Sequence, residues 1–189
     1  MASLITKITA FIGFIALPQV LGYASAYHIR KFAPKYYPTL KTPWWTPPTA
    51  LLKPIWKIMY LLMGIASYLV WRQKPINGIS VKLPLALYAI QLFFNILWAP
   101  LFFRIQSPIL ALYCILLNLL SATLATLTFS IPSPNAAKLM LPYVGFLFIN
   151  GYLNKCIWRL NQKKVKQIKK SKRSKRVVVS DSSSDSESD

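Results

Sequence analysis

Five stretches of this chain are apolar with few interruptions, at residues 5–27, 50–71, 83–103, 109–129 and 139–160, and each matches the roughly 17–25 residues that a membrane-crossing helix needs. The breaks in them are mostly small, aromatic or amide side chains. The pattern predicts an all-α integral membrane protein, a compact bundle of five transmembrane helices filling residues 1–161. Three of the four connections are short, so consecutive helices are expected to be antiparallel neighbours. The fourth, 28–49, holds Pro34, Pro38, Pro43, Pro47 and Pro48 with Tyr36, Tyr37, Trp44 and Trp45. Each proline removes a donor and restricts its predecessor, which predicts a stiff, irregular loop at the membrane surface. Its aromatics read either as interfacial anchors or as a lid over the bundle.

Polar positions inside the helices are periodic. Tyr88, Gln91, Asn95 and Trp98 recur at helical spacing along one face of the third segment. Trp56, Tyr60, Gly64, Ser67 and Trp71 do so in the second, Tyr143, Phe146, Asn150 and Asn154 in the fifth, and Asn118 and Ser121 in the fourth. Amides in hydrocarbon are costly unless hydrogen-bonded, so these stripes face other helices or a cavity. They serve either as interhelical hydrogen bonds or as the polar points of a pocket whose walls are the neighbouring aromatics.

Composition fits a hydrocarbon solvent: 54% of residues are hydrophobic and the mean hydropathy is +0.41. Charge removes whole classes of chemistry. The only four acids, Asp181, Asp185, Glu187 and Asp189, follow all 23 Lys and Arg. Residues 1–180 therefore offer no general acid–base carboxylate pair, no Ser-His-Asp arrangement and no carboxylate cage for a cation. One histidine, His28, and two separated cysteines, Cys114 and Cys156, make no ordinary metal site, so no metal is assigned. Both cysteines read as small buried hydrophobes. The net charge of +19 gathers at segment ends and beyond the last segment, which reads as membrane topology and contact with anionic lipid, not nucleic-acid binding. Arg30, Lys31, Lys35, Lys41, Arg104 and the C-terminal tail fall on one side, expected to be the cytosol. Ala24-Ser25-Ala26 also fits a signal-peptide cleavage site, which would leave four helices; Pro18 and the Gly22-x-x-x-Ala26 surface suit a packed membrane helix. Residues 162–189 read as a disordered tail, basic and then serine-rich and acidic, in which Ser182, Ser184 and Ser186 suit an acid-directed kinase.

Several runs carry a family resemblance. The segment from Tyr36-Tyr37 through Pro43-Trp44-Trp45-Thr46-Pro47-Pro48 to Pro54-Ile-Trp56 and Tyr60, with Gln91-Leu-Phe-Phe-Asn95-Ile-Leu-Trp98-Ala-Pro100, resembles the translocator protein family, also called tryptophan-rich sensory proteins or peripheral benzodiazepine receptors. Leu141-Pro142-Tyr143 and Leu153-Asn154-Lys-Cys-Ile-Trp158-Arg159 extend the likeness through the fifth segment. The resemblance implies a five-helix bundle with a pocket under the first loop and no required cofactor. Its ligands would be a porphyrin or haem, a sterol, or isoquinoline-type drugs, and its other partners the lipid bilayer and a second copy in a homodimer. The membrane it implies is the mitochondrial outer membrane or that of the endoplasmic reticulum or Golgi. Carried over by position, the pocket comprises Ala26, Ile29, Leu52, Trp56, Asn95, Trp98, Phe146, Asn150 and Leu153. Trp56 and Trp98 would pack on the ligand and Asn95 would orient it by a hydrogen bond.

Departures from the family pattern bear on mechanism. Phe146 stands where many members have a tryptophan implicated in oxidative porphyrin breakdown. Phenylalanine lacks the indole N–H and forms a radical less readily, so the resemblance favours sensing, sequestration or transport. A light- and oxygen-dependent porphyrin-degrading enzyme and a purely structural membrane protein are the alternatives. Asn150 replaces the usual alanine and should reshape the pocket. The sterol motif of animal members has Lys155 at its tyrosine position, and only a shifted match, Leu147, Tyr152 and Lys155, satisfies the loose pattern. His28 reads as interfacial polar surface, with haem ligation as the alternative.

Overall fold

The computed structural model describes residues 4–73 and 81–184, with side chains for all of these except Thr49 and residues 163–184. Among the described residues every regular element is helical: α1 (Leu4–Tyr36), α2 (Thr49–Trp71), α3 (Lys82–Ala99), α4 (Pro108–Ser130) and α5 (Pro134–Ser184). A 3₁₀ turn, Tyr37–Thr39, ends α1, and a π turn, Pro100–Arg104, ends α3. Five spans are long and apolar enough to cross a membrane, the first Leu4–Thr39 and the last Pro134–Gln162. Ile12, Val20, Phe93, Leu120, Leu127 and Phe148 stand exposed on the outside, as hydrocarbon solvent allows.

Around the bundle the helices follow the order α1, α2, α5, α4, α3, and α3 closes the ring on α1. Most consecutive helices are neighbours as expected, but the backbones of α2 and α3 approach at few positions. The ring's interior is filled by side chains of α2, α3, α4 and α5, the largest of them Tyr143 of α5, which is fully buried. Close approach depends on small residues: Ala66, Ala122, Ala125 and Ala136 have no exposed surface. At Gly64 a Cβ would lie 2.7 Å from the Ile15 Cα, so the backbones of α1 and α2 meet there. Gly22, expected to be a close-contact position, lies flat against the Tyr60 ring, which a Cβ would overlap.

Three boundaries differ from the hydrophobic reading. Helix α1 continues to Tyr36, nine residues past its apolar stretch, because His28–Ala33 contains no proline and Pro34 falls in the last turn. The irregular loop shrinks accordingly to residues 40–48. Helix α5 starts at Pro134, where a first-turn proline has no amide hydrogen to lose. Its trace runs on to Ser184, into the basic and then serine-rich segment that follows the last span. No Gly or Pro interrupts residues 162–184, and Lys, Arg and Gln are good helix formers. Side chains beyond Gln162 lie outside the described residues, and so does the expected phosphorylation at Ser182, Ser184 and Ser186.

The π turn follows from Pro100, whose carbonyl accepts from Ile105 N at 2.9 Å, five residues on. Helix α4 then starts with Pro108 at its first position, and the Ser107 hydroxyl accepts from Leu110 N at 3.4 Å.

Candidate ligand-binding site

The polar stripes converge on Tyr143. Its hydroxyl accepts from Asn95 Nδ2 at 3.0 Å and faces the amide oxygens of Gln91 at 2.9 Å and Asn118 at 3.3 Å. Asn95 Oδ1 accepts from the Tyr60 hydroxyl at 2.9 Å, and the Gln91 amide donates to Met63 Sδ at 3.7 Å. Side chains of α2, α3, α4 and α5 thus form one buried network, and Gly22 of α1 makes room for its Tyr60 end. This is the interhelical reading of the stripes. Asn95, expected to orient a ligand, is only 6% exposed and has its oxygen and one N–H engaged within the bundle.

Aromatic walls stand beside this network. Trp56 stacks on Tyr60 with centroids 5.5 Å apart, meets Phe146 edge-on at 5.1 Å, and lies 6.5 Å from Tyr143. Trp98, half-buried, packs against both buried clusters of the bundle. It stacks on Phe102 at 5.3 Å and meets Phe103 at 5.9 Å. The second cluster also holds Leu153 of α5, and Phe32 and Tyr36 of α1 and Trp45 of the loop pack against it. The Trp98 Nε1–H is enclosed and has no hydrogen-bond partner.

Of the nine positions carried over from the family, Trp56 and Phe146 are in contact, Asn95 lies behind them through Tyr60, and Trp98 and Leu153 share the second cluster. Ala26 and Leu52 are half-buried and Ile29 is exposed. Asn150 is half-buried and donates to the Phe146 carbonyl of its own helix at 2.7 Å. The shifted sterol pattern is split: Leu147 is buried in the core, while Tyr152 and Lys155 face outward. Tyr152 stacks on Trp45 at 5.7 Å, beside a shallow apolar hollow of about 220 Å³ that Phe148 and Ile149 also line. His28 lies between the rings of Tyr27 and Phe32, its Nδ1 enclosed and unpartnered. Cys114 is buried, with its thiol directed at the Phe94 carbonyl at 3.2 Å, and Cys156 is half-buried.

The loop divides its tryptophans between the two roles weighed for it. Trp44 is 95% exposed, as an interfacial anchor would be, whereas Trp45 lies against α5. Asn161, near the end of the last span, reads the loop's backbone. Its Oδ1 accepts from Lys41 N at 3.1 Å and its Nδ2 donates to Lys41 O at 2.9 Å. The Tyr36 hydroxyl donates to the Gln106 carbonyl at 3.2 Å, and Gln106 itself takes a left-handed φ of 57°. Periodicity passed over Asn161, yet its seven-residue spacing from Asn154 places it on the same face of α5.

These features define a multi-pass integral membrane protein whose aromatic interior lies beside a pinned loop. The chain belongs to the TspO/MBR family, whose model matches residues 14–159. It is 38% identical over 153 residues to the translocator protein of Bos taurus, covering 80% of this chain and 89% of that protein. It is 36% identical over 151 residues to the human translocator protein, with 79% and 88% covered. A bacterial relative, the tryptophan-rich protein TspO of Chlorobaculum tepidum, is 35% identical over 151 residues, with 78% and 92% covered.

Proposed function

We propose that this receptor- or carrier-like membrane protein binds a flat, hydrophobic tetrapyrrole, a porphyrin or haem, or a sterol-like molecule, beneath the 40–48 loop, for sensing, sequestration or movement. Family membership supports the receptor or carrier class. The observation that carries the ligand reading is the enclosed indole N–H of Trp98, unpartnered among aromatic side chains that the loop helps to cover. Leaving such a donor unsatisfied costs about 1–3 kcal/mol, which a carbonyl or carboxylate of the ligand would recover. Trp56, stacked on Tyr60, supplies a flat aromatic face, with Phe146 set edge-on beside it. Asn95 acts through Tyr60, holding Trp56 in place. The loop end carries Arg30, Lys31, Lys35 and Lys41, which supports a cytosolic position for it.

Titration of the purified protein in detergent with protoporphyrin IX, followed by tryptophan quenching, tests this. Saturable binding is expected. Trp98→Phe keeps a ring and removes the N–H, and should weaken binding about 5- to 10-fold, the equivalent of one hydrogen bond. Quenching that never saturates overturns the ligand reading. Unchanged affinity in Trp98→Phe overturns the role of the indole.

A further inference from the structure

At the end of the bundle away from the 40–48 loop, the start of α1 and the end of α2 border a groove of about 560 Å³ lined by Lys7, Ile8, Phe11, Tyr68, Trp71 and Arg72. Its wall is aromatic: Phe11 meets Tyr68 edge-on at 5.0 Å, and Tyr68 stacks on Trp71 at 6.0 Å. Lys7 and Arg72 are both exposed, and Arg72 sits just past the last turn of α2. No carboxylate occurs in residues 1–180, so neither cation has an acidic partner in the membrane body. Two exposed cations lining an otherwise apolar, aromatic groove near the ends of two spans match a molecule with an anionic head and an acyl chain.

We propose that this groove binds an anionic phospholipid, its headgroup between Lys7 and Arg72 and one acyl chain along Phe11, Tyr68 and Trp71. A zwitterionic lipid carries the same phosphate, but its ammonium would find no acid to pair with in a body that has none. Free phosphate would leave the aromatic wall without an occupant. Each cation near a membrane surface contributes about 1 kcal/mol of attraction to anionic lipid, which corresponds to about a five-fold change in affinity.

The test is native mass spectrometry of the full chain in detergent, titrated with phosphatidylglycerol or phosphatidylcholine. One phosphatidylglycerol should be retained preferentially. Lys7→Gln and Arg72→Gln should each weaken its retention about five-fold and leave phosphatidylcholine unchanged, while Lys138→Gln, an exposed cation outside the groove, should change neither. Arg72→Glu should abolish the preference, and melting temperatures in lipid-free detergent report whether each variant folds. Equal retention of the two lipids overturns the site. A loss in Lys138→Gln as large as that in Lys7→Gln overturns it in favour of diffuse surface charge. Displacement by millimolar inorganic phosphate alone overturns it in favour of a simple anion site.

Discussion

The hydroxyl of Tyr143 takes an N–H from Asn95 and faces the amide oxygens of Gln91 and Asn118, so one phenol joins α5 to both α3 and α4. Interhelical hydrogen bonds in membranes average only about 0.6 kcal/mol, because the unfolded chain in lipid also finds partners. Here one deletion strips three amides at once. Tyr143→Phe is therefore expected to destabilise the bundle by about 1–2 kcal/mol, read as a lower melting temperature in detergent. An unchanged melting temperature would show that the network is re-satisfied by water. Gly22→Ala makes a separate prediction, because its methyl would overlap the Tyr60 ring. Tyr60 must then shift, loosening both its bond to Asn95 and its stack on Trp56, at an overpacking cost of about 1–3 kcal/mol. Porphyrin affinity should fall together with stability; a fall in stability alone would separate Trp56 from the ligand. The stripe holding Gln91 and Asn95 and the separate stripe holding Tyr143 were legible from helical spacing. Their use was not, since spacing tells which face is polar but not whether an amide meets another helix or an open cavity.

At the scale of elements, hydrophobic length gave the five spans closely, because the cost of an unpaired backbone in lipid leaves little freedom in where a helix can stop. It failed at the end of α1, where polar residues continue the helix beyond the apolar stretch, since apolar length marks the membrane and not the helix. The irregular part of the first loop is short enough to be held at two points, through Lys41 on Asn161 and Trp45 on Tyr152. The amide pair on Lys41 recognises backbone, so this one of the two anchors does not depend on the loop's own side chains. Asn161→Ala removes both bonds. If the loop gates ligand exit, the dissociation rate of bound porphyrin should rise about ten-fold, the worth of two modest hydrogen bonds, while the association rate changes little. Stopped-flow displacement measures this directly, and an unaltered dissociation rate would mean that the ligand leaves between helices and not past the loop.

For the molecule as a whole, the separation of charge is the governing feature, with every acid beyond residue 180 and cations at both ends of the bundle. Within the membrane this leaves tryptophan and tyrosine faces, amides and backbone carbonyls as the means of recognition, and none of them selects a cation by ion pairing. Arg30, Lys31, Lys35 and Lys41 surround the loop end; Lys31 also donates to the Tyr27 hydroxyl at 3.1 Å, and Arg30 lies over the Tyr23 ring at 4.5 Å. A ligand arriving there with carboxylates meets a positive field that no acid of the body offsets. The two carboxylates of protoporphyrin IX should accordingly give it an advantage of several-fold over its dimethyl ester at low ionic strength. Surface electrostatics are screened over about 10 Å at 0.1 M salt and about 3 Å at 1 M. The advantage should therefore shrink steadily with added salt, while the affinity of the ester, held by ring packing on Trp56 and Trp98, stays nearly constant. Paired titrations of acid and ester across that range decide it. A salt-independent preference for the acid would place its carboxylates on buried donors, with the Trp98 indole the first candidate, and equal affinities throughout would leave the loop-end cations to topology alone.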